Sequence, residues 1–142
     1  MTTYDDNYPS CRETYATLRL FSDHVDSREI TATLEVVPSE TFAKGEASVG
    51  SRSRKTHGWF LSSKGAVDSK DSRRHIDWIV CQLRGRANEL RELQSKAVEI
   101  DISCFWLSVG QGGPTISPSQ MRDLGELDID VSWDVYFGEA DS

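Results

Sequence analysis

The chain has 142 residues, is 37% hydrophobic and carries a formal net charge of −7, values typical of a single globular domain with its own core. The negative charge argues against a general affinity for nucleic acid or anionic lipid, because the protein would repel their phosphates. The sequence holds no run of about 18 apolar residues, so we expect no membrane-spanning helix and no membrane partner.

The first segment, residues 1–13, is acidic and polar and predicts a flexible leader. It has neither a basic nor an apolar stretch, so we expect no secretory signal. The three cysteines are far apart and odd in number, which favours reduced thiols and a cytoplasmic protein. A single α+β domain is expected over residues 14–138, followed by a tail at residues 139–142.

The first half of this domain predicts a strand, a helix and a second strand. Apolar and polar residues alternate over residues 15–21, as in a half-buried strand. A helix is expected over residues 26–34. Residues 39–57 are rich in serine, glycine and charge and predict a polar, basic loop. A short strand follows at residues 58–63.

The second half begins with a helical insertion at residues 66–97. Gly85 interrupts its apolar periodicity, which predicts a kink or two separate helices. Strict alternation then predicts strands over residues 98–109 and 127–137, and a short helix is expected between them at residues 117–124.

The predicted helices of the two halves begin with the same capping pattern. Asp26 precedes Glu29 by three residues, and Ser117 precedes Gln120 by three, which is the spacing of a capping box. The repeated strand–helix–strand order predicts a ferredoxin-like two-layer sandwich, interrupted by the helical insertion, with a mainly antiparallel sheet. Helices would cover one face of this sheet and leave the other face to solvent.

The charge is unevenly distributed. Residues 44–75 hold eight bases and three acids, a local charge of +5, whereas the rest of the chain holds eight bases and twenty acids, a charge of −12. Two interpretations of the basic segment are open. It is either a solvated, partly disordered loop or a contact for an anion or an acidic partner.

The uncovered sheet face is the first candidate site. Arg19 is the sole base that alternation places there, so we expect it to pair with Asp101 or a neighbouring acid. The alternate aspartates have neither a histidine nor a second acidic strand beside them, so no metal site is expected. The sheet-face candidates are Arg19, Asp101, Phe105, Asp128, Asp130 and Asp134.

A glycine-rich loop, GQGGPTISP at residues 110–118, lies between a predicted strand and a predicted helix. It lacks the lysine of a phosphate-binding loop and the glycine spacing of a dinucleotide-binding loop. Two interpretations are open: a nest of backbone N–H groups that binds an anion, or a turn that uses the conformational freedom of glycine.

Nine residues near the predicted strand ends and on the inserted helix form the second candidate site. They line a small-molecule pocket or a partner hot spot, or they fill the joint between helix and sheet. No nucleophile, base and acid occur in a catalytic motif, so we assign no catalytic residue and expect no cofactor. The candidates are Trp59, Ser62, Ser63, His75, Trp78, Trp106, Ser108, Gly112 and Gly113.

Four segments carry a resemblance: HGWFLSSKG, SRRHIDWIVCQL, CFWLSVGQGGPTISPSQM and LDIDVSWDVYF. Together they resemble a bacterial family described as a domain of unknown function, number 4279, over about residues 15–137. The W-x-x-S and GGP-x-x-SP elements are its most specific parts. The resemblance implies a single α+β domain and supplies no activity, substrate or catalytic residue.

The favoured hypothesis is a non-catalytic cytoplasmic binding protein. Its most concrete form is an immunity-type protein that binds a cationic, toxin-like protein through the acidic sheet face by charge complementarity. The alternative is a small-molecule or anion binder, with or without catalysis, that uses the tryptophan, serine and glycine pocket. A homodimer joined through the sheet face is compatible with either hypothesis.

Overall fold

The computed structural model describes residues 3–50 and 52–138, which form five strands and four helices. The strands are β1 (Cys11–Ser22), β2 (Glu40–Phe42), β3 (His57–Ser62), β4 (Glu99–Ser108) and β5 (Asp130–Phe137). The helices are α1 (Ser27–Leu34), α2 (Ser72–Gln82), α3 (Ala87–Ser95) and α4 (Pro118–Leu127). None of these helices has the length and apolar character that spanning a membrane requires.

The five strands form a mixed sheet in the order β2-β3-β1-β4-β5. β1 pairs antiparallel with both β3 and β4, and β2 pairs antiparallel with β3. β4 and β5 run parallel and are connected through α4. The α+β class is therefore confirmed, whereas the parallel pair makes the sheet mixed and corrects the prediction of a mainly antiparallel sheet.

The predicted ferredoxin-like arrangement of two equivalent halves is not confirmed. β1 and β3 are antiparallel neighbours, whereas β4 and β5 are parallel neighbours, so the two strand–helix–strand units differ. The difference arises from β2, which lies inside the predicted loop at residues 39–57 and adds one more reversal of the chain before β3. β2 has three residues, of which Phe42 alone is buried, so no alternation marks it in the sequence.

Two helices begin where short-range chemistry predicts, and Gly85 interrupts the helical segment as expected. The side chain of Asp26 accepts a hydrogen bond from the N–H of Glu29 at 3.0 Å. At α4 the capping box is complete, because Ser117 Oγ accepts from the N–H of Gln120 at 3.2 Å and Gln120 Oε1 accepts from the N–H of Ser117 at 3.0 Å. Gly85 has a φ of 78° and lies between α2 and α3, so the predicted interruption separates two helices.

The last strand begins later than the alternating pattern predicts. α4 continues to Leu127, and Asp128 ends it with a φ of 56°. The strand predicted over residues 127–137 therefore starts at Asp130. Leu124 and Leu127 lie three residues apart, so both face the core from the helix, and the first apolar residue of the alternation belongs to a helical pattern.

The core lies between the helices and one face of the sheet. Leu18, Trp59 and Ile102 from the strands pack with Ile76 and Leu90 from the helices, and all five are fully buried. We call the opposite surface of the sheet the open face. Its side chains surround a shallow depression of about 360 Å³ and comprise Tyr15, Thr17, Arg19, Phe60, Ser103, Phe105, Asp134 and Tyr136.

The three cysteines are free thiols. Cys11 and Cys104 are buried and Cys81 is exposed. Burial raises the pKa of Cys104 to about 12, so this thiol stays protonated at neutral pH and is a poor nucleophile.

Candidate functional site

The open face carries a row of aromatic rings that crosses three strands. Tyr15 of β1 stacks on Phe105 of β4, with ring centroids 5.0 Å apart and an interplanar angle of 13°. Tyr136 of β5 continues the row, its ring centroid 5.3 Å from that of Phe105. Tyr136 is 50% exposed, so the row presents aromatic surface to solvent.

A two-point ion pair lies in the middle of the open face. Arg19 Nε donates to Asp101 Oδ1 at 2.8 Å, and Arg19 Nη2 donates to Asp101 Oδ2 at 2.7 Å, which confirms the predicted pairing. Their side chains are 34% and 31% exposed. The hydrogen bond to Asp101 raises the pKa of Arg19 above its usual value, so the guanidinium remains charged.

Carboxylates dominate one end of the sheet beyond this ion pair. Glu99, Asp101, Asp128 and Asp130 line a depression of about 500 Å³, and Arg19 is the sole base among the residues that line it. Because Arg19 is already paired with Asp101, the other three carboxylates leave this end negative. We call it the acidic end of the open face.

Asp134 adds a carboxylate beside the aromatic row. Tyr136 Oη donates to Asp134 Oδ2 at 2.9 Å, and this hydrogen bond raises the pKa of Tyr136. All six sheet-face candidates therefore lie on the open face or at its acidic end. Within residues 3–50 and 52–138, no three histidine, cysteine, aspartate or glutamate side chains are placed to hold a metal ion.

A second cluster of aromatic rings lies at the β2 side of the open face. The ring of Phe60 meets those of Phe21 and Phe42 with centroids 5.4 Å and 5.5 Å away. The guanidinium of Arg54, from the predicted basic loop, lies 4.0 Å from the centroid of the Phe42 ring. Gly58 lies beneath that ring, where a Cβ would overlap it. The sequence does not single out Phe42, because β2 is too short to show a pattern.

Ser63 and His75, two of the pocket candidates, meet inside the protein. Ser63 Oγ lies 2.6 Å from His75 Nδ1, and His75 Nε2 lies 2.8 Å from the carbonyl oxygen of Ser69. Because a carbonyl only accepts, Nε2 carries the proton and Nδ1 accepts from the Ser63 hydroxyl. The same hydroxyl accepts from the N–H of Ala16 at 2.9 Å, so the chain of hydrogen bonds is complete.

This Ser63–His75 network is buried. Ser63 is 0% exposed and His75 is 1% exposed. Burial lowers the pKa of His75 below the ordinary imidazole value, so the ring is neutral at pH 7. Ser63 and His75 have the spacing of a nucleophile and a base. The Ser63 hydroxyl has no solvent access and offers no surface to a substrate, so the pair connects strand to helix.

The three candidate tryptophans occupy different places. Trp59 is fully buried, and its Nε1–H donates to Thr31 Oγ1 of α1 at 2.9 Å. Trp106 is buried on the inward side of β4. Trp78 is partly buried against the core and lines an open groove of about 590 Å³ beside the N-terminal segment. The structure does not bring the three rings together around one pocket.

The glycine loop packs against the segment before β1. Tyr8 Oη donates to the carbonyl oxygen of Gly113 at 2.8 Å, and the Tyr8 ring meets Trp106 edge-on with centroids 5.6 Å apart. Gly112 has a φ of 120°, and a Cβ there would lie 2.8 Å from Ser10 Oγ, so both conformation and space call for glycine. Sequence patterns do not predict this contact of Tyr8, because the hydrogen bond joins residues 105 positions apart.

The remaining serines lie apart from one another. Ser108 is buried, and its Oγ donates to the carbonyl oxygen of Gly110 at 2.8 Å. Ser62 lies on the open-face side of β3, where its Oγ accepts from the N–H of Lys64 at 3.1 Å and from Thr17 Oγ1 at 3.4 Å. Both hydroxyls therefore bond to local backbone groups.

The segment before β1, assigned from the sequence to a leader, lies along the start of α2. The N–H of Asp5 donates to Asp71 Oδ2 at 2.7 Å, and Ser69 Oγ donates to Asp6 Oδ1 at 2.6 Å. Asp71 is itself 1% exposed and is the N-cap residue of α2. These hydrogen bonds connect the segment to the same helix end that holds the Ser63–His75 network.

The sequence matches the model of a known protein family. A family model described as Domain of unknown function (DUF4279) matches residues 12–138. The chain belongs to this family. The resemblance drawn from the sequence is thereby confirmed for the family, and every open-face residue of this DUF4279 domain lies inside the matched segment. No curated protein and no solved structure matches the chain.

Proposed function

We propose that the protein is a non-catalytic binding protein that recognises a cationic protein through the open face, as an immunity protein recognises a basic toxin. The observation that carries the proposal is the partly exposed aromatic row of Tyr15, Phe105 and Tyr136, with the carboxylate of Asp134 beside it and the acidic end on the same face. Aromatic side chains are enriched at the centres of protein interfaces, and surrounding charges of one sign select a partner of the opposite sign.

The charge distribution supports a cationic partner. The chain carries −7 overall, and the acidic end of the open face holds Glu99, Asp128 and Asp130 without a base of their own among its lining residues. Such a field accelerates encounter with a positively charged protein and slows encounter with an acidic one. The proposal places this binding in the cytoplasm, where the three free cysteines would stay reduced.

The state of the second candidate site also supports binding over catalysis. Ser63 and His75 have no solvent access, and the Tyr8 ring and hydroxyl already contact Trp106 and the glycine loop. Five of the nine pocket candidates are buried inside the fold: Trp59, Ser63, His75, Trp106 and Ser108. The open face, in contrast, offers aromatic and charged side chains at the surface.

The test begins by identifying the partner and then changes one charge. The tagged chain is purified from its source cells at low ionic strength, and the co-purifying proteins are identified by mass spectrometry. Calorimetry then measures affinity for the wild type, for Asp134→Lys beside the aromatic row, and for Glu126→Lys, the same charge change on exposed α4. Reversing one charge about 4 Å from a cation in water costs about 2 kcal/mol, or about thirtyfold in affinity.

We expect Asp134→Lys to weaken binding by about that factor at low salt, with a smaller loss at high salt, and Glu126→Lys to bind as the wild type does. Tyr136→Ala is expected to weaken binding at every salt concentration, since it removes apolar contact. In cells, co-expression of the wild-type chain should protect against the partner. Equal affinities of the two lysine variants, or a partner that is acidic or harmless without the chain, would refute the proposal.

We also propose that β1 to β4, with α1, α2 and α3, form a ferredoxin-like unit to which α4 and β5 are added. The order β2-β3-β1-β4 places β3 between β1 and β2, the split arrangement of that fold. In this view the added β5 supplies the parallel pairing. An experimental structure in which β4 does not pair with β1 would contradict the assignment.

A further inference from the structure

β5 is the long edge strand of the sheet. It pairs with β4 over Asp101–Ser108, and within residues 3–50 and 52–138 no strand pairs with its other side. The strand at the opposite edge, β2, has three residues against eight in β5. A free edge presents unpaired backbone N–H and C=O groups, which add readily to another extended chain.

Alternate residues of β5 turn these groups away from β4. The N–H of Gly138, directly after the strand, donates to the carbonyl oxygen of Ser108 at 2.9 Å. The N–H and C=O of one strand residue point to the same side, and that side alternates along the strand. The backbone N–H and C=O groups of the even-numbered residues of β5 therefore point toward β4. The backbone groups of the odd-numbered residues point away from β4. We call these the outward-facing residues, and they are Val131, Trp133, Val135 and Phe137.

The edge lacks three of the features that usually block strand addition, namely proline, lysine and a bulge. β5 contains no proline and no lysine, and its register with β4 is continuous, without a bulge. Val135 and Phe137 are 45% and 84% exposed, so apolar surface accompanies the free backbone groups. The charged residues of the strand are Asp130 and Asp134, which lie four positions apart on the open-face side.

We propose that the partner adds an extended segment to β5 as an antiparallel strand, with basic side chains four residues apart opposite Asp130 and Asp134. The inference rests on the proposed function, since it takes the partner to be cationic. In an antiparallel pair, side chains directly opposite lie on the same face and interact, so a base across from each aspartate is favourable. Apolar side chains of the segment would lie opposite Val131, Trp133 and Val135.

A second copy of the chain suits this edge less well. Two molecules that each carry −7 repel. Antiparallel pairing of two β5 strands centred on Asp134 would place two aspartates opposite each other, which is unfavourable. A basic segment would pair with the same backbone groups and would be attracted by the charges of both aspartates.

The test uses the whole chain and the synthetic peptide VTVKVSVKT, which places lysines opposite Asp134 and Asp130. Binding is measured by calorimetry, and amide hydrogen exchange is followed residue by residue in β5. We expect the peptide to slow exchange at the odd-numbered amides, because the even-numbered ones already bond to β4. The acidic peptide VTVEVSVET should not bind, since its glutamates would lie opposite the aspartates.

Matched changes decide whether the backbone of the edge is used. Peptide residues opposite outward-facing residues direct their own N–H toward β5, so N-methylation of the valines should weaken binding by about tenfold or more, and N-methylation of the lysines should not. In the protein, Val135→Pro removes an outward N–H and leaves the β4 pairing intact, whereas Val135→Ala keeps that N–H. If Val135→Pro disturbs folding, the two N-methylated peptides still decide the question.

The outcomes separate this inference from the proposed function. If both N-methylated peptides bind alike, or if Val135→Pro binds the identified partner as well as Val135→Ala does, edge addition is wrong and open-face recognition stands. Binding of the acidic peptide would overturn the charge matching and the cationic partner together. A dimer in sedimentation that Val135→Pro dissociates would assign the edge to a second copy and also overturn the inference.

Discussion

Replacement of Ser63 by alanine tests whether the buried Ser63–His75 network stabilises the fold. The hydroxyl is the acceptor for the N–H of Ala16 at 2.9 Å and the donor to His75 Nδ1 at 2.6 Å. Ser63→Ala leaves both groups buried without a partner. Each unsatisfied buried group costs about 1–3 kcal/mol, so we expect a loss of about 3 kcal/mol in the free energy of unfolding.

The assay is urea unfolding followed by tryptophan fluorescence at pH 8, where His75 is neutral. The control is Ser62→Ala, the same change one position away on the open-face side, where the hydroxyl accepts from the N–H of Lys64 and is partly exposed. Water can replace that lost hydroxyl, so we expect a loss below about 1 kcal/mol. Both variants should keep the wild-type dependence of stability on urea concentration.

A difference of less than about 1 kcal/mol between the free energies of unfolding of the two variants would refute the reasoning. It would mean that the Ser63 hydroxyl satisfies no more buried hydrogen-bonding groups than the Ser62 hydroxyl does. A loss of partner binding in Ser63→Ala at full stability would also contradict it, since the hydroxyl would then act in recognition. The structural interpretation requires the two variants to bind the partner alike when both are folded.

Two further predictions concern pH and packing. The lowered pKa of His75 means that the unfolded chain binds a proton more readily, so the free energy of unfolding should be greatest above about pH 6.5 and fall as the pH drops below it. His75→Gln should flatten that dependence between pH 5 and 7 in urea titrations, and an unchanged slope would contradict the assignment. Gly58→Ala should cost about 1–3 kcal/mol because its Cβ overlaps Phe42, whereas Gly125→Ala, inside α4 with open space around it, should stabilise by up to about 1 kcal/mol. Thermal unfolding of both variants measures these changes in stability. If both substitutions changed stability in the same direction, Phe42 would not rest on Gly58.

Features set by short-range chemistry could be predicted from the sequence. Alternation in β4 correctly places Ile102, Cys104 and Trp106 in the core, because the side-chain period of a strand is a local property. The Ser117–Gln120 box was also predictable, since both hydrogen bonds lie within one turn of helix. The family could be recognised from four segments that span the domain.

Features set by long-range contacts could not be predicted. Alternation does not specify which strand lies beside which, so the parallel direction of β5 and the insertion of β3 between β1 and β2 were missed. Arg19 and Asp101 were an exception, since a single base among acids on one face restricts the choice. The sequence leaves open whether Ser63 and His75 line a pocket or fill the joint between helix and sheet, because residue types do not specify burial, and the structure buries both residues.

The open face and the edge of β5 meet at Tyr136, and this junction determines how one partner could use both. A strand added to β5 would extend the sheet by one strand, so its side chains would continue the row of Tyr15, Phe105 and Tyr136. Backbone hydrogen bonds along the edge are the same for any sequence, whereas the aromatic rings and aspartates beside them discriminate between sequences. Affinity would then depend mainly on the edge and specificity mainly on the face, so Val135→Pro should weaken binding of every partner peptide, while Asp134→Lys should change their order of preference.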